Sequence, residues 1–284
     1  LPPSEHVDRT DIEFVTIDPA TSTDLDQALQ IERDGDGYLV RYAISDVAHF
    51  VPPGTALEAE THDRGLTRYA PGARIPLHPS VLSEGAASLL ADGRPRPAMM
   101  WEIRLGPDGK TRDVALTRAL VRSYAKLSYD EVQADVEAGT LHPSIALLPE
   151  VGGLRLQVEI DRGGVSLNLP DQEIVERDGT WELEFRRLVP VETWNAEISL
   201  LTGFAAADTM LRGRIGILRT LPPAEEWALG RLRRQARGLG VDWPRSMTYP
   251  EFVRSLSPED PVQLAVLTKC TMLFRGAGYV AFDG

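Results

Sequence analysis

Three aspartates, Asp18, Asp24 and Asp26, crowd into the stretch FVTIDPATSTDLDQALQI, directly after an apolar, β-branched run. Like charges held this close repel, so they need either full solvation or a cation among them. Asp24 and Asp26 are two residues apart and project to the same side of an extended chain. A bend returning from Pro19 can bring all three carboxylates around one point. Oxygen-only donors at that density, with no His or Cys among them, suit Mg²⁺ or Mn²⁺ rather than zinc. The chemistry this implies is phosphoryl transfer, with metal ions activating a water and stabilising the leaving oxygen. The same residue types also serve in ordinary loops, where Asp, Ser and Thr side chains bond backbone N–H groups. Spacing alone leaves both readings open.

The elements that must position these residues are legible around them. IEFVTID, residues 12–18, alternates near its centre and reads as a strand with Asp18 at its end and Pro19 closing it. Three hairpins come after it. QALQIE and YLVRYAISDV flank the Asp-Gly pairs of RDGDG, MMWEIRL and TRDVALTRALVRS flank GPDGK, and QEIVER and TWELEFR flank Asp178-Gly179. Ser128 and Glu131 form a capping box that opens a helix stopped by Gly139. Residues 191–212 and 224–238 are apolar at helical spacing. Thr248 and Glu251 form a second capping box around Pro250, and 259–276 reads as a last helix. Strands in the first half and helices in the second predict one α/β domain with a mixed central sheet and flanking helices.

Bulk properties narrow the function. The 284 residues are 43% apolar and 25% charged, an ordinary globular composition. No apolar run reaches the length of a membrane span, and no signal peptide opens the sequence. A single cysteine, Cys270, excludes a disulfide framework and points to a reducing, cytoplasmic setting. The net charge of −12 opposes non-specific binding of polyanions, so a nucleic-acid role requires a local basic surface or bound metal ions.

The motifs carry a resemblance. TIDPATSTDLDQAL resembles the metal-binding motif of the ribonuclease II (RNB-domain) exoribonucleases, T-I-D-x-x-x-x-x-D-x-D-D-A. YAISDVAHFVPPGT, DRGLTRYAPGARIPLHPSVLSEGAASL, AKLSYDEV, RGGVSLNLP, NAEISLLTGFAAADTML and GILRTLPPAEEWALGRLRRQARGLG resemble further family blocks in family order. The resemblance runs from about residue 10 to 280. It implies a Mg²⁺-dependent 3′→5′ exoribonuclease, with Mn²⁺ as a possible substitute, that hydrolyses single-stranded RNA to nucleoside 5′-monophosphates. By matched position, Asp18, Asp24 and Asp26 bind metal, and Asp26 also positions the attacking water. Tyr69 lies near the RNA, Tyr129 packs on the terminal base and Glu197 faces the last nucleotide. Read without the family, Tyr129 is the first residue of a capped helix, Tyr69 a loop anchor and Glu197 a solvated helix residue. His49 reads as structural, Asp46 as a neighbour of the cluster, and the arginines of 231–237 as a solvated helix face. The expected organisation is a leader over 1–10 and a catalytic domain over 11–284, acting as a monomer.

Two departures qualify the expectation. Gln27 stands where the family motif has a fourth aspartate, which removes a charge and leaves a neutral carbonyl oxygen. The sequence also lacks the family's later T-S-P-I-R-[RK]-Y type segment, whose arginine contacts phosphate, so it reads as a C-terminally incomplete piece of a longer protein. Two alternatives arise: an RNB-fold RNA-binding or scaffold protein with impaired catalysis, and a metal-dependent hydrolase of another phosphodiester.

Overall fold

The computed structural model describes residues 6–70, 72–167 and 169–284. The first five residues of the expected leader, together with Pro71 and Asn168 of the quoted blocks, lie outside the described residues. The chain divides into two compact units: 1–155 with 175–180 and 189–202, and 156–174 with 181–188 and 203–284.

The first unit is built on a mixed seven-stranded sheet. Its strands are β1 (Val7–Asp8), β2 (Phe14–Asp18), β3 (Gln27–Asp34), β4 (Gly37–Ser45), β7 (Arg96–Leu105), β8 (Thr111–Val121) and β9 (Ser123–Ser128). The short hairpin of β5 (Arg68–Ala70) and β6 (Ala73–Ile75) stands apart from that sheet. The order β1-β8-β7-β4-β3-β2-β9 is antiparallel within, with parallel pairs only at β1–β8 and β2–β9. The predicted first and second hairpins are β3–β4 and β7–β8. β2 is buried along almost its whole length, as its β-branched run requires. Phe14, Ala43, Met100 and Val121 meet in one core cluster. Outside the sheet run α1 (Val47–Phe50), α2 (Ala56–Arg64) and α3 (Tyr129–Ala138), while α4 (Leu148–Asp161) and α5 (Pro190–Gly213) have residues in both units.

The β2–β9 register sets Asp18 directly beside Ser128, the cap residue of α3. The capping box is complete: the Ser128 hydroxyl accepts from the Glu131 N–H, and the Glu131 carboxylate accepts from the Ser128 N–H at 2.9 Å. Tyr129, the next residue, is therefore delivered to the same sheet edge as Asp18. α4 carries no clear helical signature in its sequence, because Gly152-Gly153 interrupts it. A Cβ at Gly152 would lie 2.4 Å from the Trp194 side chain, so glycine is needed for α5 to approach.

The third predicted hairpin is β10 (Asp171–Arg177) with β11 (Thr180–Arg186), turned by Asp178 and Gly179 at φ 51° and 75°. The second unit holds α6 (Glu226–Gly238), α7 (Tyr249–Ser255) and α8 (Pro261–Cys270), and the pair β12 (Ile215–Thr220) with β13 (Gly278–Asp283). The expected helix over 259–276 is shorter. It gives way to a 3₁₀ turn at Thr271–Leu273, and YVAF belongs to β13. Leu232, Trp243, Phe252, Val266 and Cys270 form this unit's core, with the Trp243 and Phe252 rings stacked at 4.3 Å. Arg233 lies 3.9 Å over the Trp243 ring and bonds the carbonyls of Trp243 and Pro244, so it is a packing residue rather than a member of a solvated face.

Candidate active site

Leu25 explains how the acidic bend is held. Its side chain is fully buried, its N–H donates to the Ser88 hydroxyl at 3.0 Å, and its carbonyl accepts from the Leu89 N–H at 2.7 Å. Ser88 Oγ also donates to the Thr23 carbonyl, and the Asp26 carbonyl accepts from Ser45 N–H. With Leu25 turned into the core, its neighbours Asp24 and Asp26 are turned out of it together. Asp18 reaches the bend from the end of β2.

The carboxylates feel one another. Asp18 titrates at about 6, raised first by burial and then by the charges of Asp26 and Asp24, with Lys126 opposing. Asp26 is also raised, chiefly because protein atoms crowd it, while a hydrogen bond from Gln27 pulls the other way. Two carboxylates thus carry a cost for ionising that a nearby cation would relieve. Asp24 is engaged differently: its Oδ2 accepts from Arg74 Nη1 at 2.7 Å. Among the described residues no three His, Cys, Asp or Glu side chains stand close enough to share an ion as placed, and Asp24 is ion-paired with Arg74. The donor set itself, three hard carboxylates on one braced bend, fits a divalent cation of the magnesium kind.

Aromatic residues stand on both sides of the bend. Asp18, Gln27, Tyr42, Tyr129 and Asn195 line one small cleft, in which Asn195 donates to the Tyr129 hydroxyl at 3.3 Å. Tyr129 is thus both a helix-opening residue and a wall beside Asp18. Asp24, Asp26, Tyr69, His78 and Ser83 line a second cavity of about 320 Å³. Tyr69 is 74% exposed on the β5–β6 hairpin, so it is not a packed anchor. Glu197, on α5 two residues after Asn195, is only 3% exposed, which overturns its reading as a solvated residue.

Gln27 is no idle replacement for an aspartate. Its Oε1 accepts from the Tyr42 hydroxyl, and its side chain also hydrogen-bonds Asp26. A carboxylate here could accept from Tyr42 but could not donate to Asp26. Asp46, read as a neighbour of the cluster, follows Ser45, which bonds the Asp26 carbonyl, and its own carboxylate accepts from His6 Nε2 at 3.0 Å and Arg118 Nε at 2.8 Å. His49 packs its ring against His6 and Phe50, as a structural residue does. Sequence reasoning does not single out Arg74, Tyr42 or Asn195. Only the Tyr69–Arg74 pairing within the β5–β6 hairpin leaves a readable trace of Arg74.

Comparison with known proteins fits this geometry. The RNB domain family model matches residues 6–271. Exoribonuclease 2 of Photorhabdus laumondii is 34% identical over 227 residues, which is 75% of this chain and 34% of the relative. The RNase R of Mycoplasma genitalium, solved in complex with ribose methylated single-stranded RNA, superposes with a TM-score of 0.89 at 23% identity. That match covers 98% of this chain and 46% of the other. Yeast Ssd1, described as a pseudonuclease, shares the fold at TM-score 0.77 and 12% identity, covering 99% of this chain and 36% of that one. The chain thus spans less than half the length of these relatives, and it belongs to the RNB-domain family.

Proposed function

We propose that this chain carries the catalytic bend of a 3′→5′ exoribonuclease that hydrolyses single-stranded RNA to nucleoside 5′-monophosphates. The observation that carries the proposal is a bend, braced through Leu25 and Ser88, that holds Asp24 and Asp26 in one aromatic-lined cavity with Asp18 in a second, both Asp18 and Asp26 being raised chiefly by burial. Asp18, Asp24 and Asp26 would hold the divalent cation, Mg²⁺ or Mn²⁺. When bound, that cation supplies Lewis-acid stabilisation of the phosphorane charge and lowers the pKa of the attacking water. Asp26, kept in orientation by the Gln27 amide, aims that water at phosphorus. The water oxygen bonds to phosphorus, the bond from phosphorus to the 3′ oxygen breaks, and the terminal nucleotide leaves with its 5′-phosphate. Tyr129 offers a ring face to the terminal base, and Tyr69 is assigned near the RNA end by its matched position. Stacking is tolerant of sequence because every base has a π-face. Glu197, buried on α5, is assigned to face the last nucleotide by its matched position.

A second reading has specific support. Gln27 removes one charge from the family motif, and Arg74 occupies Asp24. Both favour an RNB fold that binds RNA without cutting it. One assay separates the readings. End-labelled RNA and DNA, each with a free or blocked 3′ end, are incubated with the protein in Mg²⁺, Mn²⁺ or chelator. The nuclease reading expects loss of RNA from a free 3′ end only, stopped by chelator and by Asp26→Asn. Binding without cleavage in either metal supports the silent reading, and equal loss of DNA contradicts RNA selectivity.

A further inference from the structure

Arg74 takes no part in the proposed hydrolysis, yet it is bonded into the bend. Its Nη1 donates to Asp24 at 2.7 Å, and its Nη2 donates to Glu84. Glu84 belongs to the single π-helical turn Leu82–Ala86 and also accepts from the Thr23 hydroxyl at 3.2 Å. Thr23 is the residue just before Asp24. Arg74 therefore sits between two carboxylates, one inside the catalytic bend and one outside it. Across the β5–β6 ladder its direct partner is Tyr69, on the wall of the cavity that Asp24 and Asp26 also line.

A guanidinium fork and a hard divalent cation use the same carboxylate lone pairs. The guanidinium brings one delocalised charge, and the ion brings two on a compact centre. Both cannot take Asp24 Oδ2 at full strength. Glu84 gives the arginine somewhere to remain when it lets go, so surrender of Asp24 strands no charge. Resting on the assignment of a divalent cation to the bend, we propose that Arg74 competes with that cation for Asp24, with Glu84 retaining the arginine once Asp24 is released. Arg74 is then a positioning residue that sets how tightly the bend takes its metal. It also links metal occupancy to the hairpin that carries Tyr69.

The test is calorimetric titration of chelator-treated protein with Mn²⁺ and with Mg²⁺, without RNA, after circular dichroism has confirmed folding. Arg74→Met is expected to bind Mn²⁺ about three- to fivefold tighter than the parent, the upper scale of a partly exposed ion pair. Arg74→Lys keeps the charge and is expected to stay within about twofold of the parent. Arg68→Met removes a cation from the same hairpin without touching Asp24 and is also expected to stay within about twofold. Glu84→Gln is expected to weaken Mn²⁺ binding, since Arg74 then has Asp24 alone. The proposal is overturned if Arg74→Met binds no tighter, or if Arg68→Met tightens binding as much. If no protein in the series binds either metal, the metal reading fails and takes this proposal with it. If all bind equally, only the competition fails.

Discussion

Two aspartates close strands of the same sheet and behave in opposite ways. Asp18 ends β2, and Asp46 comes directly after β4. Asp46 is the more buried, at 3% exposure, yet its carboxyl is held below the usual carboxylate range, because His6 and Arg118 offset its burial. Asp18 is more open to solvent and is raised to about 6, first by burial and then by the charges of Asp26 and Asp24, with only Lys126 opposing. Burial alone does not decide which carboxylate is strained; partners do. A fully satisfied strand-end acid is part of the scaffold. An under-compensated one is where a cation or a proton is expected to act.

The comparison can be broken most forcefully at Asp46. Asp46→Ala removes the buried acceptor that His6 and Arg118 share and is expected to cost about 3 kcal/mol in denaturant unfolding. A loss under about 1 kcal/mol would show that the network is no scaffold. Asp18→Asn in chelator is expected to do the reverse and raise stability at pH 7 by about 1 kcal/mol, the shift being discounted because the group is partly open to water.

The pH dependence should show the same opposition. Between about pH 4 and 6 the folded state keeps a proton on Asp18 that the unfolded chain has lost, so chelator-treated protein loses stability as pH rises through that window. Asp46 gives the opposite limb: the unfolded chain takes its proton first, near 3.8, and stability falls as pH drops below that value. Subtracting the Asp18→Asn curve should remove the first limb only. An effect of similar size is expected at Gln27. Gln27→Leu removes its bonds with Tyr42 and Asp26 and is expected to cost about 1–2 kcal/mol. A neutral result there would leave Asp26 positioned by its backbone alone.

Much of the frame is legible in the sequence, for local reasons. Asp-Gly and Pro-Gly turns, the Ser128 and Thr248 capping boxes and the β-branched run before Asp18 each announce an element within a few residues. What cannot be read there depends on distant partners. Gly152 looks like a helix breaker until Trp194, 42 residues later, is seen to need its missing side chain. β12 finds its partner β13 more than 50 residues later, a pairing that no local spacing announces. The site divides in the same way. The three aspartates are a local pattern. Arg74 meets Asp24 across 50 residues, and nothing in the spacing of Asp46 says that His6 and Arg118 will claim it. Glu197 looks solvated on its helix and is buried, because burial is set by what packs on the helix rather than by its own neighbours.

The central claim is that the carboxylates of the bend jointly grip a divalent cation. Mn²⁺ titration of the parent, Asp18→Asn and Asp26→Asn, with circular dichroism to confirm each fold, tests it most directly. Saturable binding by the parent that weakens at least about tenfold in both variants is the predicted result. Equal binding by all three proteins, or none by the parent, would contradict it.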